Sequence, residues 1–205
     1  MLAVALSLTA CETYKVDDPD MTAVSGFDGM WYCFAYDPAD LDNPVTVFDV
    51  QITNTTFNEA DRFWMTVTDV NYPETSGDPY YLDAVRFDVS CDADALTFSC
   101  SEVECEYPRT CHNLLFGQGY DSYGYYAGLT SSETVSITDG RVTLDGVDTH
   151  SGCKADAIEF TYTRTTDDGS GSPATVTYYV RGMKNTGWEE DMADYTDFID
   201  NVLLQ

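Results

Sequence analysis

Two histidines, His112 and His150, are the only imidazole side chains in this chain of 205 residues that could serve as a general base. Ser151 follows His150, but neighbours along an extended chain point to opposite faces, which argues against a Ser–His dyad. The sequence holds neither a Gly-x-Ser-x-Gly nucleophile elbow nor a His-Glu-x-x-His metal helix. Carboxylates are too numerous, at 36 Asp+Glu, for one pair to be singled out. We therefore predict no catalytic residues and no cofactor.

Cysteines offer a second chemistry. Both histidines lie near a cysteine, in Cys111-His112 and His150-x-x-Cys153, and tetrahedral zinc accepts mixed thiolate and imidazole ligands. These spacings match no common zinc signature, and thiols outside the cytoplasm tend to oxidise. Without Cys11 the cysteines form an even set that could pair as disulfides, in a connectivity that sequence does not resolve. The set is Cys33, Cys91, Cys100, Cys105, Cys111 and Cys153. We expect disulfides and no metal.

The acidic run from Asp37 to Asp42 is a third candidate, since calcium takes oxygen ligands. It lacks the glycine-punctuated spacing of an EF-hand loop, and a solvated hairpin is the expectation. The formal net charge of -27 at pH 7 leaves few basic groups to displace phosphate counterions, so we expect no nucleic-acid partner. Hydrophobic residues make up 43% of the chain, which is too apolar for a disordered acidic tail.

Residues 2–10 are apolar or small and uncharged, and they end in Leu8-Thr9-Ala10-Cys11. This ending resembles the lipobox of bacterial lipoproteins, in which cleavage leaves an acylated cysteine as the first residue. The resemblance implies a signal peptide over 1–10, lipidation at Cys11 and an acidic tether over 11–27. Two acyl chains anchor a protein stably. The implied location is extracytoplasmic, with the Cys11 lipid holding the protein to the outer membrane, at its periplasmic face or at the cell surface.

The elements that must position these residues are predicted to be β-strands, because apolar and polar residues alternate with a period of two. The predicted strands are 30–36, 45–53, 62–69, 80–90, 95–99, 133–138, 141–144, 156–164 and 174–182. A turn signal, Asp139-Gly140, separates the sixth from the seventh. The inward side chains are expected to be Phe48, Val50, Ile52, Phe63, Met65, Val67, Val85, Phe87, Val89, Ile158, Phe160, Tyr162, Val176, Tyr178 and Val180.

Short strands joined by turns indicate a sandwich or an up-and-down barrel. Helical spacing appears only near the C-terminus, at Met192, Tyr195, Phe198, Ile199 and Val202. This predicts an amphipathic helix packed on the barrel wall or across its end. Residues 100–128 are rich in Cys, Gly and Tyr, and we interpret them as an insertion.

Gly29-Met30-Trp31 on the first strand and Arg181 on the last resemble the lipocalin arrangement, in which a Trp closes the base of the barrel beneath an Arg. Further segments, at 81–89, 135–142, 149–152, 155–162 and 179–191, are similar to the Gram-negative lipoproteins labelled lipid-binding putative hydrolases. The resemblance implies a lipocalin-like fold and an apolar ligand. The Cys-rich insertion, the C-terminal helix and Gly182-Met183-Lys184 depart from the family pattern.

The predicted fold is therefore all-β: a lipocalin-like antiparallel up-and-down β-barrel over residues 28–205, with the insertion and the C-terminal helix. The predicted function is binding of a small apolar or lipid-like ligand inside this barrel. The candidate lining residues are Tyr32, Phe34, Phe48, Phe63, Met65, Phe87, Phe160 and Tyr178. The alternatives are a hydrolase of a lipid-like or ester substrate, and a surface interaction protein whose barrel is filled, because eight strands are just wide enough to be filled by side chains.

Overall fold

The structure is a computed structural model that describes residues 21–71, 81–105, 109–110, 132–167 and 171–203. Within these ranges the chain forms nine β-strands followed by a helical segment. The strands are β1 Gly29–Asp37, β2 Asp40–Asn54, β3 Arg62–Asn71, β4 Tyr81–Asp92, β5 Thr97–Glu104, β6 Arg109–Thr110, β7 Ser132–Asp148, β8 Lys154–Asp167 and β9 Ala174–Lys184. The helical segment comprises a 3-10 turn Glu189–Met192, the α-helix α1 Ala193–Phe198 and a π turn Ile199–Leu203.

Eight strands close into a ring of antiparallel pairs, in the order β1-β2-β3-β4-β5-β7-β8-β9 and back to β1. The short β6 only adds to β4, opposite Asp83 and Ala84. Each strand of the ring pairs with its neighbours along the chain, and β9 closes the ring on β1. The predicted all-β up-and-down barrel is confirmed. Among the described residues, no helix has the length and apolar character that crossing a membrane requires.

The interior of the barrel is packed with aromatic rings. The alternation predicted for β2, β3, β4 and β8 is confirmed, since their inward side chains are buried. Neighbouring rings meet edge to face at centroid distances of 5.7–5.8 Å in the pairs Phe63–Phe98, Phe98–Phe160 and Phe48–Tyr162. Val176, which was also expected inward, is 45% exposed at one end of the barrel.

The opposite end, the base, is plugged by the turn that precedes β1. Val24 and Phe27 of this turn are buried, and the Phe27 ring lies 5.1 Å from that of Phe63. Trp31 is also fully buried, and its indole Nε1 donates a hydrogen bond of 2.9 Å to the carbonyl oxygen of Phe27. Trp31 therefore closes the base, as the lipocalin resemblance implies.

The expected contact between Trp31 and Arg181 is wrong. The Arg181 guanidinium lies 4.3 Å from the ring centroid of Tyr36, whereas Nζ of Lys184 lies 5.4 Å from that of Trp31. The strand register explains why Lys184 rather than Arg181 lies beside Trp31, because Trp31 pairs with Lys184 while Arg181 pairs with Phe34. Phe34 comes three positions after Trp31, an odd offset, so their side chains leave β1 on opposite faces.

The turn expected at Asp139-Gly140 is also wrong. Both residues lie within β7, at a bulge between Thr138 and Arg141, and β7 pairs with β8 on either side of it. Asp139 has φ of 56°. A Cβ on Gly140 would lie 2.5 Å from the carbonyl oxygen of Phe98, so a side chain has no room there. A bulge and a tight turn use the same residue types, and only the pairing of the long strands distinguishes them.

No disulfide bond joins any two of the five described cysteines, Cys33, Cys91, Cys100, Cys105 and Cys153. Complete disulfide pairing is therefore not found in the described part of the chain. Cys11 and Cys111, together with His112 and most of the insertion, lie outside the described residues. Burial raises the pKa of the Cys91 and Cys100 thiols to about 11, which keeps them protonated and weakly nucleophilic near neutral pH.

Candidate functional site

Core side chains pack closely in the part of the barrel interior that the structure describes. A cavity of about 40 Å³ lies at the end opposite the base, which we call the mouth, between Phe48, Tyr162 and Tyr178. That volume suits a water molecule but not an alkyl chain, since small-molecule sites occupy roughly 300–1,000 Å³. Among the predicted lining residues, five are fully buried and form the core: Phe48, Phe63, Met65, Phe87 and Phe160. Tyr178 is half-buried beside the cavity.

The mouth also contains a buried ion pair. Nη2 of Arg164 lies 2.7 Å from Oε1 of Glu133, and the two side chains are 14% and 8% exposed. The Thr166 hydroxyl lies 3.4 Å from the same carboxylate oxygen. Burial raises the pKa of Tyr178, with a further contribution from the nearby Asp69 carboxylate. Charged and hydrogen-bonded groups thus occupy the position where a ligand would enter the barrel.

A larger groove of about 370 Å³ lies outside the barrel, between its wall and the C-terminal helical segment. Strands β1, β8 and β9 form its floor, and the loop after β7 and α1 form its sides. Its volume falls within the range of small-molecule sites. The lining residues are Tyr32, Phe34, Val147, Asp148, Thr149, His150, Ala157, Ile158, Glu159, Arg181, Gly182, Met183, Asp191, Asp194 and Tyr195.

Tyr32 and Phe34 line this groove rather than the barrel interior, so their expected inward orientation is wrong. Trp31 and Cys33 of β1 face inward and are fully buried, which places the alternate residues on the outer wall. The parity was readable from the sequence, because Trp31 and Tyr32 are adjacent and cannot both face the interior. The outer face of β1 is therefore apolar, and another element must pack on it to shield it from solvent.

The predicted C-terminal helix supplies this cover. The Tyr195 ring lies 5.1 Å from that of Tyr32 and 6.0 Å from that of Phe34. The Phe198 ring lies 5.8 Å from that of Phe34. The Tyr195 hydroxyl donates a hydrogen bond of 2.6 Å to Oδ1 of Asp49. The helix thus packs on the barrel wall, one of the two positions that the sequence predicted.

One end of the groove is polar and centres on Asp191, whose 3% exposure makes it a buried carboxylate. It accepts hydrogen bonds from the backbone N–H and hydroxyl of Ser151, at 2.7 and 2.9 Å, and from the Thr186 hydroxyl at 2.6 Å. Burial opposes its ionisation, but these hydrogen bonds outweigh burial and hold the pKa of Asp191 below its usual range. A fixed negative charge therefore lies at this end.

His150 stands at the same end, with Nε2 3.5 Å from Oδ2 of Asp194. The Ser151 hydroxyl bonds to Asp191 and Thr149. These partners differ from the serine–histidine hydrogen bond by which a histidine activates a nucleophilic serine. Among the described residues, no group of three or more His, Cys, Asp or Glu side chains could hold a metal ion. The groove thus combines an apolar floor with a charged end.

Asp49 carries a testable pH dependence. Burial raises the pKa of its carboxyl, and the Tyr195 hydrogen bond only partly opposes this effect. The folded chain therefore binds this proton more tightly than the unfolded chain. The resulting stabilisation is fully present below the ordinary carboxyl pKa, about 4, and is lost as the pH rises through the folded-state value.

We expect that the Asp49→Asn variant does not show this loss of stability at higher pH. Its melting temperature, relative to that of the wild type, should rise as the pH increases from about 4 toward neutrality. Asp200→Asn removes an exposed carboxylate of the helical segment that carries Tyr195; it is the control and should follow the wild-type curve. A constant difference between Asp49→Asn and the wild type at every pH would contradict this expectation.

A family model described as lipid-binding putative hydrolase matches residues 16–189. The match includes every described strand of the barrel and the floor of the groove, and it ends before α1. No curated protein matches the chain.

Proposed function

From the premise that the chain belongs to the lipid-binding putative hydrolase family, we propose that it binds a small lipid-like ligand in the groove between α1 and the barrel wall. The combination of an apolar floor with a volume of about 370 Å³, against about 40 Å³ at the mouth, carries the proposal. A ligand inside the barrel would have to displace interlocked core rings. A ligand in the groove would contact Tyr32 and Phe34 without disturbing the core.

The groove suits an alkyl chain because its floor is apolar. Val147, Ala157 and Met183 line it beside the exposed faces of the aromatic rings. Covering apolar surface is worth about 25 cal/mol per Å². Micromolar affinity needs about 8 kcal/mol net of association costs. We therefore expect a single-chain ligand to bind in the micromolar range.

A pair of tryptophan substitutions on β9 locates the site. Met183→Trp fills the groove, whereas Val176→Trp stands at the barrel mouth. An environment-sensitive probe with an alkyl chain should bind the wild type saturably. Met183→Trp should weaken this binding at least tenfold and Val176→Trp should leave it unchanged. Loss only in Val176→Trp would move the site into the barrel, and absence of saturable binding would leave the surface-interaction alternative.

The same assay tests the hydrolase alternative. Ester substrates with an alkyl chain should be turned over no faster by the wild type than by His150→Ala, because Ser151 is held by Asp191 rather than by His150. Saturable hydrolysis that His150→Ala abolishes would make the hydrolase the better assignment.

The location of the protein belongs to the same proposal. Leu8-Thr9-Ala10-Cys11 resembles a lipobox, and we propose that Cys11 carries the lipid that anchors the protein at the outer membrane. Cys11→Ser should yield an unacylated protein that partitions into the aqueous phase of a detergent extract, whereas the wild type should enter the detergent phase. A wild type found in the aqueous phase would contradict lipidation.

A further inference from the structure

The groove lining is strongly unbalanced in charge. Four carboxylates line it, those of Asp148, Glu159, Asp191 and Asp194, whereas Arg181 is the single Lys or Arg among the described lining residues. Three of the carboxylates gather at the end formed by the loop after β7 and the start of the helical segment. One of them, Asp148, is paired with Lys154 at 2.7 Å, so Asp191 and Asp194 are the two that would attract a cation. An anionic head group at this end would meet like charges, and a cationic head group would meet opposite charges.

Arg181 does not neutralise the carboxylates at this end of the groove. Its guanidinium stacks on the Tyr36 ring at 4.3 Å and donates to the carbonyl oxygen of Leu41 at 3.3 Å. In register it stands opposite Phe34 and Glu159, away from the loop that carries Asp148 and His150. The carboxylate end and the Arg181 end of the groove are therefore separate.

Aromatic faces also line the groove. Tyr32 and Phe34 keep part of their surface exposed to the groove, and the buried Tyr195 ring packs against both. The face of an aromatic ring attracts cations, and quaternary ammonium groups are recognised in this way. Carboxylates and aromatic faces together are a combination that selects ammonium groups over anions.

Resting on the proposed function of the groove, we infer that its ligand is a single-chain amphiphile with an ammonium head group. The alkyl chain lies on the floor formed by Val147, Ala157 and Met183. The ammonium group lies at the carboxylate end, beside Asp191 and Asp194, and against the exposed part of the Tyr32 ring. Fatty acids, which carry a carboxylate head, are disfavoured.

Calorimetric titration with three amphiphiles of equal chain length tests this inference, each below its micelle-forming concentration. Dodecyltrimethylammonium should bind at least tenfold more tightly than dodecanoate. Dodecylphosphocholine separates the two sources of an ammonium group. If dodecylphosphocholine binds as tightly as dodecyltrimethylammonium, the ligand is a phosphocholine lipid. If dodecylphosphocholine binds more weakly, the ligand is a simple cationic amphiphile. Dodecanoate binding as tightly as dodecyltrimethylammonium would overturn the inference.

Variants separate the groove from the general negative charge of the protein. Asp194→Asn should weaken dodecyltrimethylammonium binding several-fold while dodecanoate binding is unchanged or stronger. Asp197→Asn removes an exposed carboxylate of α1 that does not line the groove, and should change neither. Equal effects of the two variants would indicate nonspecific attraction and contradict the inference.

The two proposals can fail separately. If all three amphiphiles bind alike and Met183→Trp weakens all of them, the groove binds alkyl chains and only the head-group inference is wrong. If none binds, the proposed function itself is wrong. Tetramethylammonium, which has no chain, should bind far more weakly than dodecyltrimethylammonium.

Discussion

Trp31→Ala is expected to lower the free energy of unfolding by about 3–5 kcal/mol. Trp31 is fully buried at the barrel base, so its removal leaves a cavity that the surrounding strands cannot fill. The carbonyl oxygen of Phe27 also loses the hydrogen bond from the indole. Urea unfolding should show a lower midpoint with an unchanged slope.

Trp188→Ala is the matched control. The same side chain is removed from a position that is 55% exposed, just before the 3-10 turn. Surface substitutions of this kind usually change stability by less than about 0.5 kcal/mol. Equal losses in the two variants would mean that Trp31 does not act through burial, and that the base is not the closed, packed end described above.

Arg164→Met is expected to cost about 3–5 kcal/mol, because it leaves the buried Glu133 carboxylate without the guanidinium that compensates it. Taking a charge out of water is costly unless a partner remains. Methionine keeps much of the volume of the arginine stem, so the loss reports on charge rather than on packing. Chemical denaturation near neutral pH measures it.

Two further variants make this prediction specific. Lys154→Met breaks the ion pair of 2.7 Å with Asp148, but both side chains are exposed, and no measurable change in melting temperature is expected. The double variant Arg164→Met with Glu133→Leu removes both buried charges and should recover much of the lost stability. A double variant less stable than Arg164→Met alone would contradict the proposed cost of the unpaired carboxylate.

Local pattern was sufficient to predict the strands and much of the core. The alternation in β3, with Phe63 and Met65 on one face, is a property of a few consecutive residues and does not depend on what lies opposite. Helical spacing around Tyr195 predicted the C-terminal helix for the same reason. The residues of the candidate site were less predictable: Asp49, Asp191 and Asp194 gave no signal, because a chain with 36 acidic residues offers many equivalent carboxylates.

The sequence by itself determined the class of this protein: an acidic, all-β chain whose alternation has one apolar and one polar face along most strands, and whose motifs resemble one family. The tertiary structure alone decided the filled interior, the pairing of Trp31 with Lys184 instead of Arg181, the bulge at Asp139-Gly140 and the groove beneath α1. The physical reason is that periodicity is local, whereas register, packing volume and the meeting of β1, β9 and the helix depend on residues more than a hundred positions apart.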